Sequence, residues 1–215
     1  MSFRFDDGWQ SQYDVALPAL QKAGIAGTFY IITHQLKDQG FSGFMTIAEV
    51  KQTAADGEEI GAHTQTHPHL PTLTVDQQTQ EIDGSKSDLQ SWGLNPLTFS
   101  YPYGEYTTDT VQIVKDAGFT SAVTTAKKPV LTTSDRLQIE SPSIQDTDTV
   151  ASIEQMIQNA MSKHEWLIMT FHRIDESGDQ YSITPQNFQA IVDYVHQNQI
   201  PTVTVSQGAA NLAQR

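Results

Sequence analysis

Short apolar segments alternate with amphipathic segments along the whole chain, and this alternation restricts the possible folds more than any other feature. The apolar and β-branched runs that predict strands are 3–5, 27–32, 59–62, 97–100, 120–124, 137–139, 167–171 and 202–205. The amphipathic runs that predict helices are 10–23, 46–56, 75–91, 107–117, 149–163, 185–198 and 206–213. Such alternation predicts parallel strand–helix units, with both faces of the sheet covered, in a barrel or a doubly wound sheet.

Cap residues mark the ends of these predicted helices. Glycines that suit the position just after a helix are Gly24, Gly57, Gly93 and Gly118. Residues that suit a helix start are Thr74, Thr108, Thr184 and Pro185. Because the 215 residues contain no repeat, low-complexity tract or evident linker, we predict one domain over residues 1–215.

The charge balance limits the partners of this domain. The chain has 25 acidic and 12 basic side chains and a formal net charge of −13. A field of that sign repels phosphate backbones and anionic lipids, so we expect no binding to nucleic acid or to membrane surfaces. Cysteine is absent, which excludes disulfides and thiolate metal sites. The sequence leaves the oligomeric state open.

The sequence predicts neither membrane insertion nor a signal peptide. No apolar run approaches the roughly 20 residues that a membrane helix needs. Residues 1–7 lack the basic and apolar regions of a secretory signal, and they begin inside a predicted strand. We therefore expect a domain trimmed at its N-terminus.

Residues able to take part in catalysis follow the predicted strands. They are Asp6, Asp7, His63, His67, the turn 101–104 and His172. Because the carboxyl ends of parallel strands meet at one rim, we expect these residues to lie close together.

Two histidines and one carboxylate suit a divalent metal and leave coordination positions open, as catalytic sites do. Such a metal lowers the pKa of bound water from about 15.7 to about 7. A second carboxylate can accept the proton, and a further histidine can protonate a leaving group. Taken singly, each motif is typical of a turn, a helix cap or a packed histidine. Their combination at strand ends indicates a hydrolase.

These motifs resemble the signatures of the polysaccharide deacetylases, which are the NodB-like carbohydrate esterases of family four. The matching segments are Phe5-Asp6-Asp7-Gly8, Gly27-Thr28-Phe29-Tyr30, Gly57-Glu58-Glu59-Ile60-Gly61, His63-Thr64-x-x-His67, Tyr101-Pro102-Tyr103-Gly104 and the apolar run before His172. The resemblance implies a distorted (β/α) barrel of about seven βα units. It also implies a divalent metal, Zn²⁺ or another transition metal such as Co²⁺ or Ni²⁺, and hydrolysis of acetyl groups from a carbohydrate.

The resemblance also implies a role for each site residue. The metal ligands would be Asp7, His63 and His67. Asp6 would be the general base and His172 the general acid. Thr64 would brace the ligand loop, and the backbone N–H of Tyr103 would stabilise the oxyanion, a contact often worth about 3–4 kcal/mol.

Two departures from the family pattern affect these roles. Ser100 stands where the family often has the arginine that holds the catalytic aspartate, and the Asp-x-x-Asp-Trp signature is missing, although Asp146 and Asp148 lie in that region. Side chains alternate along a strand, so Arg4 and Asp6 should share a face about 7 Å apart. We hypothesise that Arg4 orients Asp6. The alternative is that Arg4 satisfies other interior groups.

The substrate implied is an acetylated polymer that contains N-acetylglucosamine, such as chitin, poly-N-acetylglucosamine or peptidoglycan. The Ser100-Tyr-Pro-Tyr-Gly form is closer to the poly-N-acetylglucosamine branch. Aromatic residues that could stack on sugars are Trp9, Tyr101 and Tyr106, with Phe41 and Phe44 as further candidates, although most aromatics in a barrel serve packing.

The sequence leaves three other functions open. They are an O-acetyl esterase on xylan, a catalytically silent carbohydrate-binding relative and an amidase for small molecules. For the natural protein we expect an extracellular or cell-envelope location.

Overall fold

The computed structural model describes residues 1–125 and 135–212, and a parallel sheet lies at its centre. The strands of this sheet are β1 Ser2–Phe5, β2 Gly27–Ile31, β3 Glu59–Ala62, β4 Thr98–Ser100, β5 Ser121–Val123 and β6 Ile168–Phe171. Their order is β5-β4-β3-β2-β1-β6, and every neighbouring pair is parallel. The predicted α/β class is therefore confirmed.

An irregular segment, 135–144, lies between the two edge strands and completes the barrel. Ile139 pairs with Val123 of β5, and Ser143 pairs with Thr170 of β6, each through a single parallel bridge. The predicted strand 137–139 is thus reduced to one bridge, because this segment crosses from one edge strand to the other instead of running along either. The result is the distorted barrel that the sequence predicts.

The helices follow the predicted alternation. They are α1 Leu17–Ala23, α2 Ile47–Ala55, α3 Val75–Ser91, α4 Thr108–Asp116, α5 Val150–Ser162, α6 Pro185–Gln197 and α7 Val205–Leu212. A π-helical turn, Gln12–Ala16, precedes α1, and 3₁₀ turns occupy Lys37–Gln39, Leu70–Thr72 and Pro102–Gly104. Two short strands, β7 Arg173–Ile174 and β8 Ser182–Ile183, pair with each other. Thr74 and Thr184 cap helices as predicted, whereas α4 is capped by Thr107.

The predicted strand 202–205 is wrong. Both edges of β1 are already paired, with β2 and β6, so this segment has no free strand beside it there. Instead the chain enters α7, and the first N–H groups of this helix are bound by side chains of β2 and β3. The Val205 N–H donates to Thr28 Oγ1, and the Ser206 N–H donates to Glu59 Oε2. Residue 213, the end of the last predicted helix, lies outside the described residues.

Alternation along β1 divides its side chains between two environments. Phe3 and Phe5 are fully buried outside the sheet, where they pack against Phe171 and against Phe188 of α6. Arg4 points the other way, into the barrel, and is among the largest side chains with no exposed surface. Among the helices of the described residues, none has the length and apolarity needed to cross a bilayer.

Candidate active site

One cavity of about 740 Å³ collects the polar residues that follow the strands. Asp6 and Asp7 come from the end of β1, His63 from β3 and His172 from β6. His67 and Tyr103 reach the same cavity from the loops after β3 and β4. The sequence-based expectation that these residues lie together agrees with the structure, because all of the strands are parallel and end at one rim.

The group Asp7, His63 and His67 has the geometry of a metal site. The Nε2 atoms of His63 and His67 lie 3.4 Å and 3.7 Å from Asp7 Oδ1, and the three ligand atoms lie within 4.8 Å of one another. His63 Nδ1 is 2.7 Å from the Ser100 carbonyl oxygen. Since a carbonyl only accepts, Nδ1 carries the hydrogen and Nε2 presents its lone pair to the site. This donor set fits a divalent transition metal.

The electrostatics favour the ligand forms of Asp7 and His67. Burial raises the pKa of Asp7, but the neighbouring histidines lower it by more, so the net shift is downward. Burial, and then the charge of His63, lower the pKa of His67 to about 4, which leaves its imidazole neutral at pH 7. The pKa of His63 is raised, because Asp6 and Asp7 outweigh the effect of burial. A metal must therefore compete with a proton at His63.

Backbone strain is concentrated in this site. Six non-glycine residues of the described chain have a positive φ, and four of them are Asp7 (79°), Thr64 (64°), His67 (60°) and Tyr103 (57°). Such conformations cost on the order of 1–3 kcal/mol each unless the surroundings hold them. Within the ligand loop, the His67 N–H donates to Thr64 Oγ1 at 3.0 Å. This contact is the bracing expected of Thr64.

Trp9 contacts Asp7 of this group and does not line the cavity. Its indole N–H donates to Asp7 Oδ2 at 2.9 Å. The Phe44 ring stacks on Trp9 with centroids 4.3 Å apart, and the Arg173 guanidinium lies 5.1 Å from the centroid of the Trp9 ring. These neighbours hold the indole where its N–H orients the Asp7 carboxylate, and the role of Trp9 in binding sugar stays a prediction.

Arg4 holds Asp6 in the way that strand alternation suggested. Its Nε and Nη2 donate to Asp6 Oδ1 at 2.8 Å and to Oδ2 at 2.6 Å, and Nη2 also donates to Ser100 Oγ at 2.7 Å. Nη1 donates to the Thr124 carbonyl at 2.9 Å. Burial raises the pKa of Asp6, but Arg4, and then His63, lower it by more, so the carboxylate stays ionised. Ser100 supports this pair in place of a family arginine.

The side chain of His172 has fewer hydrogen bonds than the side chains of Asp7 and His63. Its Nδ1 is buried and has no hydrogen-bond partner among the described residues. Its carbonyl accepts from Gln12 Nε2 at 2.9 Å, and the same amide donates to the Asp6 carbonyl at 2.5 Å. Gln12 therefore joins the ends of β1 and β6, a link that the sequence analysis missed because helical periodicity does not show which distant carbonyls a buried amide contacts.

Neither acidic candidate for tuning His172 is in place. Asp148 borders the cavity, but its Oδ2 accepts from the Gln145 N–H at 2.9 Å. Asp146 lines a separate, smaller pocket. Within the described part of the chain neither carboxylate bonds to His172 Nδ1.

Of the aromatic residues predicted to bind sugar, Tyr101 lines the cavity, and Tyr103 and Tyr181 line it as well. Tyr101 has no exposed surface, and its hydroxyl donates to the Leu137 carbonyl at 2.9 Å, while Tyr106 packs against it with ring centroids 5.0 Å apart. Both rings contribute to packing, and Tyr101 exposes no surface on which a sugar could stack, while the role of Tyr106 stays a prediction. The exposed aromatics at the cavity are Tyr103, which is 50% exposed, and Tyr181, which is 41% exposed. No motif marks Tyr181, which lies between β7 and β8.

Sequence comparisons identify relatives of this chain. The sequence signature named polysaccharide deacetylase matches residues 1–122. The Bacillus subtilis protein YxkH is 34% identical over 122 residues, which are 56% of this chain and 43% of YxkH. The peptidoglycan-N-acetylmuramic acid deacetylase PdaA of the same organism is 33% identical over 86 residues, 40% of this chain and 30% of PdaA. The chain thus spans less than half the length of these relatives.

Comparison of solved structures gives the same fold. The Streptococcus pyogenes deacetylase PplD, solved with acetate, superimposes with a TM-score of 0.67 at 28% identity, over 72% of this chain and 69% of PplD. A family 4 carbohydrate esterase from Streptomyces lividans superimposes with a TM-score of 0.65 over 92% of this chain and 85% of the esterase. At 19% identity, the second comparison speaks for the fold alone.

Proposed function

The chain belongs to the polysaccharide deacetylase family, and from that premise we propose that it is a metal-dependent hydrolase that removes acetyl groups from a carbohydrate polymer. The observation that carries the proposal is the placement of Asp6 and His172 in the same cavity as the Asp7, His63 and His67 group. A metal site beside one buried carboxylate and one further histidine supplies the groups that amide hydrolysis needs.

The substrate we propose is a polysaccharide that contains N-acetylglucosamine. The names of two further relatives, a chitin deacetylase of Cryptococcus neoformans and a peptidoglycan-N-acetylglucosamine deacetylase of Bacillus cereus, support this class. Tyr103 and Tyr181 present exposed rings at the cavity, and aromatic rings suit the apolar faces of sugars. The net charge of −13 disfavours anionic polymers. A cell-wall substrate would place the natural protein outside the cytoplasm.

The residues fit a divalent transition metal, and Zn²⁺ suits two imidazoles and one carboxylate. When bound there, such an ion supplies Lewis-acid chemistry, polarising the acetyl carbonyl and increasing the acidity of water. The protein contributes the orientation of the three ligands: Trp9 fixes the Asp7 carboxylate, and the Ser100 carbonyl fixes the His63 ring.

The remaining steps are proton movements at named atoms. Asp6, kept ionised by Arg4, accepts a proton from the water that adds to the acetyl carbon. The backbone N–H of Tyr103 donates to the acyl oxygen as negative charge develops on it. His172 gives a proton to the sugar nitrogen as the carbon–nitrogen bond breaks. The products are acetate and a free amino sugar.

One observation favours a second candidate. The buried Nδ1 of His172 has no partner within the described residues, so nothing there fixes its tautomer as a general acid requires. A chain with an impaired acid would bind the polymer without turnover, as a catalytically silent relative.

Acetate release tests both candidates. Purified protein with Zn²⁺, Co²⁺ or Ni²⁺ would be incubated with chitin oligomers, poly-N-acetylglucosamine, peptidoglycan and acetylxylan, and free acetate and glycan binding would be measured. We expect acetate from an N-acetylglucosamine polymer and its loss with a chelator. Binding without acetate would favour the silent relative, acetate from acetylxylan alone would favour the esterase, and activity on monomeric amides alone would contradict a polysaccharide substrate.

A further inference from the structure

The loop that carries two of the metal ligands rests on one face of α3. This loop, His63 to His67, follows β3, and the residues of α3 that face it are Glu81, Gly84 and Asp88. Their spacing of three and four residues places them on one side of the helix. None of them belongs to the metal-ligand group or lines the cavity.

Glu81 binds the two residues between the strained positions of the loop. Its Oε2 accepts the N–H groups of Gln65 and Thr66, each at 2.9 Å, and its Oε1 accepts the Thr66 hydroxyl at 2.6 Å. The two oxygens of this one side chain thus accept two backbone N–H groups and one hydroxyl from adjacent residues. One carboxylate therefore fixes the backbone directly before His67.

Gly84 and Asp88 complete the support. A Cβ at Gly84 would lie 2.5 Å from the Gln65 side chain, so the glycine makes room for Gln65 against the helix. Gln65 Nε2 donates to Asp88 Oδ2 at 3.0 Å, and the same oxygen accepts from Thr33 Oγ1 at 2.7 Å. The side chain of Gln65 is thereby held as well as its backbone.

The loop needs this external support because its own conformation is unfavourable. Thr64 and His67 have φ values of 64° and 60°, and such residues persist only where their surroundings hold them. The internal bond from the His67 N–H to Thr64 Oγ1 links the two strained residues to each other. The bonds to Glu81 and Asp88 link the loop to a helix of the scaffold.

We propose that Glu81 is a positioning residue for the metal site: through the backbone of Gln65 and Thr66 it holds the loop in the conformation that brings His63 and His67 to Asp7, and so it sets the affinity for the ion. This inference rests on the metal dependence of the proposed function. Because it acts through hydrogen bonds, their geometry matters more than the charge of Glu81.

Four variants separate geometry from charge. Glu81→Ala removes all three hydrogen bonds. Glu81→Gln removes the charge but keeps an oxygen for the two N–H groups and an amide that can donate to the Thr66 hydroxyl. Glu81→Asp keeps the charge but withdraws the carboxylate by one methylene. Asp83→Ala is the matched control, since Asp83 is an exposed carboxylate on the same helix.

The measurement is Zn²⁺ affinity, by competition with a chelating dye, together with the visible spectrum of the Co²⁺-loaded protein. We expect Glu81→Ala to weaken affinity by about 10–100-fold, the range typical of residues that orient metal ligands. Glu81→Asp should weaken it as well and alter the Co²⁺ spectrum. Glu81→Gln and Asp83→Ala should stay close to wild type. Thermal unfolding without metal verifies that each variant folds.

The outcomes distinguish this inference from the proposed function. A wild-type chain with no measurable affinity for Zn²⁺ or Co²⁺ would overturn the metal assignment itself. A wild-type chain that binds Zn²⁺, with Glu81→Ala equal to it, would overturn only the role of Glu81. Should Glu81→Ala fail to fold, the other two variants decide: weak binding by Glu81→Gln with normal binding by Glu81→Asp would show that charge, rather than hydrogen-bond geometry, matters.

Discussion

On the metal-ligand side of the cavity each ligand residue has a hydrogen bond that fixes it, whereas on the acid side His172 has a buried Nδ1 with no partner among the described residues. Asp7 accepts from the Trp9 indole, the His63 ring donates to the Ser100 carbonyl, and the His67 backbone donates to Thr64. Backbone strain follows the same division: the positive φ values of the cavity lie at the ligand loop, Asp7 and Tyr103.

This difference indicates which orienting hydrogen bonds the fold makes by itself. A metal ion requires its ligands at fixed distances, so orienting bonds are needed before the ion arrives. The acid has to transfer a proton only when a substrate occupies the cavity, and catalytic hydrogen bonds often tighten only then. Variants on the metal side should therefore change metal affinity, and variants on the acid side should change pH dependence with the metal retained.

The largest expected effect is on the metal side. His67→Ala removes a proposed ligand, so the purified variant should lose the roughly one divalent ion per chain that we expect in the wild type, and its acetate release should fall to background. Elemental analysis and an acetate assay measure the two effects. His164→Ala, which removes an exposed histidine, is the control. Wild-type metal content in His67→Ala with unchanged turnover would contradict the ligand assignment.

The two aspartates should have separate effects, Asp6 on turnover and Asp7 on metal binding. Asp6→Asn should keep the metal and lose about 10²–10⁴-fold in kcat, the usual contribution of a general base. It should also lower Tm, because Arg4 keeps a buried charge with a neutral partner. Asp7→Asn should instead weaken metal binding. Equal loss of metal from both variants, by elemental analysis, would show that their roles are not separate.

On the acid side, His172→Ala should reduce kcat without releasing the metal. Because the acid must be protonated while Asp6 is ionised, the wild-type rate should fall at both ends of the pH range. The variant should lose or shift the alkaline limb, which the proposed mechanism assigns to the general acid. A pH–rate profile from acid to alkaline pH, with metal content at each end, measures this. An unchanged alkaline limb would assign it to another group.

Arg4→Met tests how the base is tuned. Arg4 lowers the pKa of Asp6, whereas burial raises it. Without Arg4 the effect of burial on the pKa of Asp6 is opposed only by His63 and His172, so this pKa should rise. The acidic limb of the pH–rate profile, where Asp6 takes up a proton, should therefore move to higher pH and turnover should fall. Adding Ser100→Arg should recover part of the loss, since Ser100 lies beside the same carboxylate. A profile identical to that of the wild type would exclude the role of Arg4.

The smallest expected effect is at Trp9. Trp9→Phe keeps a ring against Phe44 but removes the N–H that binds Asp7. Metal affinity should fall by roughly tenfold, the low end for an orienting partner, while KM for the polymer, measured at saturating metal, stays unchanged. A raised KM with normal metal affinity would instead restore Trp9 to the sugar-binding role predicted from the sequence.

Sequence periodicity predicted the elements well and their contacts poorly. Helix α3 was predicted at its observed bounds because its cap and apolar spacing lie within the segment. The position of Arg4 followed from alternation along β1, which is also local. Segment 202–205, by contrast, has strand-like residues but no free strand beside it. Tyr101 was a candidate for stacking on a sugar, but its hydroxyl donates to the Leu137 carbonyl. Such outcomes depend on residues far away in the chain.

The sequence by itself determined the parallel strand–helix units and the identity of the residues at the strand ends, because strand ends, helix caps and side-chain alternation are properties of consecutive residues. Only the tertiary structure decided that Trp9 donates to Asp7, that Glu81 accepts from the backbone of the ligand loop and that His172 Nδ1 has no partner among the described residues. These contacts join elements distant in sequence, and their geometry is set by how the helices and loops pack around the sheet, which no local pattern encodes.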